Sequence, residues 1–125
     1  MKILVVDDDI QLGRLIGGMF EQLGESQVEC VEDGREGLRR LQQEAYDLVL
    51  LDINMPAMSG VDFAVELGQQ QPGKPCIFVT AAANEMAQAA MNVANEAGVR
   101  MLGILHKPFS LEQLEALVQQ ARSAA

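Results

Sequence analysis

A run of four apolar residues, 48–51, leads directly into the carboxylate of Asp52 and then into the turn-forming stretch 54–60, Asn-Met-Pro-Ala-Met-Ser-Gly. A short run that is apolar at every position is typical of a strand covered on both faces, as in a parallel sheet. An Asp at the carboxyl end of such a strand lies where open α/β sheets place ligands. An isolated Asp there more often serves a turn, so its chemistry depends on what the chain brings near it.

Strand-like runs alternate with segments of helical period along the whole chain. The further strand candidates are residues 3–6, 27–31, 76–79 and 101–105. The first helix candidate has apolar residues at helical spacing, and they are Leu12, Leu15, Ile16, Met19, Phe20 and Leu23. The later helix candidates cover about 35–44, 61–70, 84–97 and a segment that opens at the capping box 110–113.

This alternation predicts one α/β domain over residues 1–125, with a parallel sheet covered by helices on both sides. The expected strand order is 2-1-3-4-5, which is one of the two common doubly wound arrangements and gives a flavodoxin-like three-layer sandwich. Its ligand crevice would lie between strands 1 and 3, which end in Asp7-Asp8 and in Asp52.

The charge balance excludes some classes of partner. The 125 residues include 18 acidic and 9 basic side chains, for a net charge of −9, which disfavours nucleic acids and anionic membrane surfaces. No segment resembles a signal peptide or a membrane span, so we expect a cytoplasmic protein. Cys30 and Cys76 are expected to be reduced thiols inside buried strands, and neither has the spacing of a zinc ligand.

Every strand near the expected crevice ends in a polar residue, and these residues are Asp7, Asp8, Asp52, Thr80 and Lys107. Parallel strands place all of these ends at one edge of the sheet. Two carboxylates 4 Å apart repel each other by roughly 4 kcal/mol at an effective dielectric constant of 20, so the cluster needs raised pKa values or a counter-charge. Oxygen ligands suit Mg²⁺. A simpler alternative is that Lys107 only forms a salt bridge with Asp52.

An Asp carboxylate can act as a nucleophile towards phosphorus and form an aspartyl phosphate. In this interpretation Asp52 accepts the phosphoryl group, while Asp7 and Asp8 hold Mg²⁺, which neutralises charge on the phosphoryl oxygens. The backbone carbonyl of Asn54 completes the metal shell. Lys107 and the Thr80 hydroxyl contact the remaining phosphoryl oxygens.

The segments VVDD (5–8), LLDINMPAMSG (50–60), VTA (79–81) and HKPF (106–109) resemble the receiver domain of two-component response regulators, the CheY-like proteins. The resemblance implies a phosphoacceptor at Asp52 and phosphate contacts at Thr80, Ala81 and Lys107. It also implies a cis peptide bond before Pro108. Because such domains only assist their own phosphorylation and dephosphorylation, it implies a regulator and not an enzyme.

The same resemblance implies the partners. The phosphoryl group would come from a histidine kinase or a phosphotransfer protein, and the signal would pass to an output domain or a downstream protein. Residues 98–118 are similar to receivers coupled to cyclic-di-GMP phosphodiesterase output domains. In the family, helix 4, strand 5 and helix 5 form the usual docking face, so a homodimer through that face is an expectation to test.

Two features depart from the family pattern. Receivers usually carry Tyr or Phe three residues before the lysine, where this chain has Ile104, so the usual coupling of the hydroxyl residue to an inward-swinging aromatic is absent. Thr80 and Lys107 are 27 positions apart (107 − 80), longer than the common spacing, and the extra length is expected in 94–101.

Two other functions remain as alternatives. A Mg²⁺-dependent phosphatase of the haloacid-dehalogenase type would use Asp7 as its nucleophile, but it would leave Asp52 unexplained and would need acidic ligands after Lys107. Only Glu112 and Glu115 follow that lysine. The second alternative is a pseudo-receiver that serves as an interaction module without phosphorylation.

Overall fold

The computed structural model describes residues 1–123, which form five strands and five helices in strict alternation. In chain order the elements are β1 Lys2–Val6, α1 Ile10–Gln22, β2 Gln27–Val31, α2 Gly34–Gln43, β3 Leu48–Asp52, α3 Gly60–Gln70, β4 Pro75–Thr80, α4 Asn84–Ala97, β5 Arg100–His106 and α5 Leu111–Ser123. The predicted alternation is confirmed, and the predicted boundaries lie within about two residues of the observed ones.

All five strands are parallel, and their order in the sheet is β2-β1-β3-β4-β5. β1 lies between β2 and β3, with Ile3 opposite Val28 on one side and Leu48 on the other. The chain therefore reverses its direction of travel across the sheet between β1 and β3. This order confirms the predicted doubly wound α/β fold, and it places a crevice at the carboxyl ends of β1 and β3.

Two apolar cores lie on opposite faces of the sheet because neighbouring side chains of a strand point to opposite faces. Leu4 and Val6 of β1 join a core that also contains side chains of α2, α3 and α4, for example Leu38, Phe63 and Ala87. Ile3 and Val5 join a second core with α1 and α5, which contribute Ile16, Phe20, Leu114 and Val118. β3 is buried at all five positions, as expected for the uniformly apolar run 48–51.

Four of the five helices begin at a side chain that accepts a hydrogen bond from a backbone N–H in the first turn. The capping residues are Asp9, Asp33, Ser59 and Ser110. Ser110 and Gln113 form the predicted capping box, in which the Ser110 N–H also donates to Oε1 of Gln113 at 2.9 Å. α4 differs, because its N-cap is Ala83 and no side chain caps it.

Three details differ from the simple sequence patterns, and among them the expected burial of Cys30 is wrong. Leu15 is 61% exposed, although it belongs to the apolar series of α1, because the buried stripe of that helix is narrower than the series. Cys30 is exposed, because β2 is an edge strand, whereas Cys76 is buried as expected. The register of β4 and β5 skips Leu102, since Cys76 pairs with Met101 and the next residue pairs with Gly103. β5 therefore contains a bulge at Leu102.

Candidate functional site

The carboxyl ends of β1, β3, β4 and β5 meet at one edge of the sheet and carry polar side chains. Asp7 and Asp8 directly follow β1, Asp52 ends β3, Thr80 ends β4 and Lys107 directly follows β5. Carboxylate oxygens of Asp7, Asp8 and Asp52 all lie within 4.8 Å of one another. The parallel topology thus brings together side chains that are as much as 100 positions apart in the chain, as for Asp7 and Lys107.

Asp7 and Asp52 are held in the same way. Oδ1 of Asp7 accepts the N–H of Asp9 at 2.8 Å, and Oδ1 of Asp52 accepts the N–H of Asn54 at 3.2 Å. In both cases the donor lies two residues further along the chain, so the turn after each strand orients its carboxylate. Both residues are buried, whereas Asp8 is exposed at the mouth of the site.

The ammonium of Lys107 lies between the two buried carboxylates. Its Nζ is 3.4 Å from Oδ2 of Asp7 and 3.6 Å from Oδ2 of Asp52. The salt bridge with Asp52 therefore forms, but Lys107 is shared between two carboxylates. Three carboxylates and one ammonium leave a formal charge of −2 at the site.

The electrostatics of Asp52 follow from this excess of negative charge. Burial and the charge of Asp7 raise the pKa of the Asp52 carboxyl, while the Asn54 N–H and the Lys107 ammonium act in the opposite direction. The net shift is upward, so a single lysine does not compensate the cluster. A further cation at this position would relieve the repulsion, and the donor set, made of oxygens only, fits a hard ion such as Mg²⁺.

Thr80 ends β4, which lies between β3 and β5 in the sheet. Its side chain is fully buried, and Oγ1 accepts the N–H of Ala82 at 2.9 Å, while the hydroxyl hydrogen remains available for donation. The backbone N–H of Lys107 donates to the carbonyl oxygen of Thr80 at 2.8 Å, which joins the ends of β4 and β5. Ala81 is exposed beside the site, and the peptide bond between Lys107 and Pro108 is cis.

The loop from 53 to 59 folds back against the strand that carries Asp52. The N–H of Gly60 donates to the carbonyl oxygen of Ile53 at 2.8 Å, and a Cβ at Gly60 would lie 2.3 Å from the carbonyl oxygen of Asp52. Only glycine allows this approach. Met58 is buried against Gly34 of α2, and Ala57 has a positive φ of 67° at the tip of the loop.

Two residues near the site have roles that the sequence did not reveal. Asp9, the third acid of the run that follows β1, caps α1 by accepting the N–H of Leu12 at 3.2 Å. An Asp directly before a helical period is the signal that identifies such a cap. Gly60 is the second, and its place after a Pro-containing turn is the signal for a close backbone approach.

Ile104 lies opposite Phe78 in the register of β4 and β5. It is half-buried and packs against the core that contains α3 and α4. The position that carries an aromatic residue in the resembled family therefore holds a smaller aliphatic side chain, which packs against the core on the α4 side of the sheet.

An apolar groove of about 330 Å³ runs between α1 and the segment after β5. It is lined by Leu12, Leu15, Met19, Pro108 and Phe109, together with Asp9 and Lys107. The exposed Leu15 thus forms part of a concave apolar surface that adjoins the acidic site. Within residues 1–123, no helix combines the length and the apolar character that crossing a membrane requires.

Comparison with known proteins places these features in context. A protein-family model, described as the response regulator receiver domain, matches residues 3–119. The chain is 32% identical to the chemotaxis protein CheY of Pseudomonas aeruginosa over 127 residues, covering 96% of this chain and 94% of that protein. It is 29% identical to the probable chemotaxis protein CheY of Rhizobium etli over 119 residues, covering 95% and 90% respectively.

Solved structures give the same result. The response regulator protein TrrA of Thermotoga maritima, in complex with Mg²⁺ and BeF, superposes with a TM-score of 0.81 at 29% identity, covering 97% of this chain and 99% of that one. The chemotaxis protein CheY4 of Vibrio cholerae superposes with a TM-score of 0.81 at 30% identity, covering 96% and 97%.

Proposed function

The chain belongs to the response regulator receiver family, and we propose that Asp52 is its phosphoacceptor and that residues 1–125 act as one phosphorylation-operated switch. The observation that carries the proposal is the convergence of the buried Asp52 with Asp7, Asp8 and Lys107 at the crevice of the sheet. The carboxylate proposed as nucleophile, the ammonium of Lys107 and carboxylates that suit a metal ion lie there within a few ångströms of one another. Phosphoryl transfer requires this combination.

The proposed reaction transfers a phosphoryl group from a phosphohistidine to Asp52. A carboxylate oxygen of Asp52 forms the new O–P bond while the P–N bond of the donor breaks. The electron pair of that bond returns to the imidazole, which takes up a proton, so the products are an aspartyl phosphate and a neutral histidine. Attack by water on the aspartyl phosphate releases inorganic phosphate and resets the carboxylate.

Asp7, Asp8, Asp52 and the carbonyl oxygen of Asn54 would hold Mg²⁺ at this site. When bound, the ion supplies positive charge that stabilises the phosphoryl oxygens during transfer. Lys107 would leave its position between the buried carboxylates and contact a phosphoryl oxygen. The Thr80 hydroxyl and the backbone at Ala81 would contact the others.

In this proposal the domain is a phosphoacceptor regulator and not an enzyme with a separate substrate. The phosphatase alternative needs acidic ligands after Lys107, but Glu112 and Glu115 are exposed on α5. Among the described residues, the acidic group at the crevice consists of Asp7, Asp8 and Asp52.

We further propose that the apolar groove between α1 and Phe109 docks the phosphodonor. It adjoins the acidic site, since Lys107 lines both, and its apolar lining includes the exposed Leu15. A helix of a histidine kinase or phosphotransfer protein that places apolar residues there would bring its phosphohistidine towards Asp52. The signal would then pass to an output domain or a downstream protein.

The experiment is to incubate the domain with Mg²⁺ and a phosphohistidine donor and to map any alkali-labile acyl phosphate. Binding of beryllofluoride in the presence of Mg²⁺ is measured in parallel. Modification at Asp52 that disappears in Asp52→Asn supports the switch. Asp62→Asn is the control, because this change removes an exposed carboxylate from the first turn of α3. Modification at Asp7 would instead support the phosphatase. If the domain is not modified and does not bind beryllofluoride, the result supports the pseudo-receiver.

A further inference from the structure

Two residues of β5 face α4. Ile104 packs against the core that contains α4 side chains, and His106, two positions later on the same face, lies 3.2 Å from α4, measured from Nε2 to Oδ1 of Asn84. The residue between them, Leu105, belongs to the opposite core. In the tautomer that carries its hydrogen on Nε2, the imidazole donates to the amide oxygen. β5 thus carries a polar contact to the start of α4, next to the half-buried Ile104.

The start of α4 lacks a side-chain cap. Residues 81–83 are all alanine, and the N-cap Ala83 offers no side-chain acceptor to the first turn, unlike the capping residues of the other four helices. A helix without an N-cap acceptor leaves its first N–H groups to solvent. The hydrogen bond from His106 therefore ties an uncapped first turn to the sheet.

Both ends of this hydrogen bond are close in the chain to groups at the phosphorylation site. His106 is peptide-bonded to Lys107 and pairs with Thr80 in the register of β4 and β5. Asn84 follows Thr80 after only three residues. A backbone shift at Thr80 or Lys107 would therefore displace one end of the bond relative to the other.

We propose that Asn84 and His106 are a positioning pair that holds the first turn of α4 in its resting position and couples that turn to the phosphorylation site. The inference rests on the function proposed above and names how that site signals. Ile104 cannot make the aromatic swing of the resembled family, and the adjacent hydrogen bond supplies a link between β5 and α4 in its place. The occupied site releases the pair, and α4 then moves.

The proposal has a consequence for binding at Asp52. A bond that stabilises only the resting conformation opposes any ligand that favours the other one, and by linkage its removal strengthens that ligand's binding. The net contribution of one such hydrogen bond corresponds to a change of about 2- to 10-fold. A purely structural contact would lower stability without strengthening binding.

The test measures the midpoint concentration for beryllofluoride binding in the presence of Mg²⁺, followed by ¹⁹F NMR. The variants are Asn84→Ala, His106→Ala, the double variant and the control Asn92→Ala, which removes an exposed amide from the same helix. Each single variant should lower the midpoint about 2- to 10-fold, and the double variant should do no more than the larger single change. The control should match the wild type.

Thermal unfolding without Mg²⁺ checks that every variant is folded before binding is compared. If the wild type binds beryllofluoride but Asn84→Ala and His106→Ala leave the midpoint unchanged or raise it, the proposal that these residues form a positioning pair is wrong. The proposed function then still stands. Effects that add fully in the double variant would also overturn the pair, since the two residues would then act separately. A wild type that fails to bind would overturn the proposed function, and the pair with it.

Discussion

Neutralising Asp52 is expected to stabilise the domain when Mg²⁺ is absent. Asp52→Asn keeps the acceptor for the Asn54 N–H but removes a charge that Asp7 and Asp8 repel. At 4.8 Å, two carboxylates repel each other by about 3.5 kcal/mol at an effective dielectric constant of 20. The Lys107 ammonium at 3.6 Å attracts Asp52 by about 4.6 kcal/mol on the same scale. The repulsion from Asp7 and Asp8, together with burial, outweighs the attraction to Lys107. After solvent screening, Asp52→Asn should raise the free energy of unfolding by about 1–2 kcal/mol.

The gain has a defined dependence on pH. Burial and Asp7 raise the pKa of Asp52 in the folded state above its unfolded value, so the folded protein binds more protons between these two values. The wild type therefore loses stability as the pH rises through that window. The advantage of Asp52→Asn should grow over the same window and should disappear below about pH 3.9, the ordinary Asp value.

Chemical denaturation and thermal unfolding measure both effects. Mg²⁺ at ten times its dissociation constant should stabilise the wild type by about 1.4 kcal/mol, which corresponds to a rise in Tm of about 5 °C for 125 residues. Asp52→Asn should lose most of this rise, while the control Asp62→Asn should keep it. The reasoning fails if Asp52→Asn is no more stable than the wild type at pH 7, or if Mg²⁺ stabilises both proteins equally.

Three further predictions concern stability. Ala57→Gly should stabilise the domain by up to about 1 kcal/mol in urea denaturation, because φ is 67° there and glycine adopts this angle without strain. A loss of stability would contradict the inference that the backbone at Ala57 is strained. Gly68→Ala should destabilise by about 2–3 kcal/mol, since its Cβ would lie 2.3 Å from the last carbonyl oxygen of α4. Gly17→Ala should stabilise the domain instead, because a Cβ at Gly17 would have no atom within 4 Å. Equal changes in stability for Gly68→Ala and Gly17→Ala would refute the steric reasoning. Glu25→Gln should cost about 1 kcal/mol at pH 7, because the N-terminal ammonium and Arg122 lower the pKa of Glu25. This stability is present above the ordinary value of 4.5 and is lost as the pH falls through the lower folded pKa, so acid titration of both proteins should show their curves converging below pH 4.5.

Much of the fold is readable from local patterns. The apolar runs predict the strands because a strand buried on both faces must be apolar at every position, as residues 48–51 are. Gly24 ends α1 with a positive φ of 85°, as its place after the apolar series predicts. The meeting of Asp7, Asp8 and Asp52 also follows, since parallel strands align their carboxyl ends. The chemical roles assigned to these residues stay predictions.

The sequence by itself determined the strands, the helices, the strand order and the set of polar residues at the crevice, because periodicity and strand ends are local properties that topology rules then arrange. Tertiary structure alone decided how those parts meet. It exposed Leu15 and Cys30, placed a bulge at Leu102, and shared Lys107 between two carboxylates. It also set Asn84 against His106, 22 positions apart. A periodic pattern indicates which face of an element is apolar, but the width of the buried stripe and every contact between distant residues depend on how the elements pack in three dimensions.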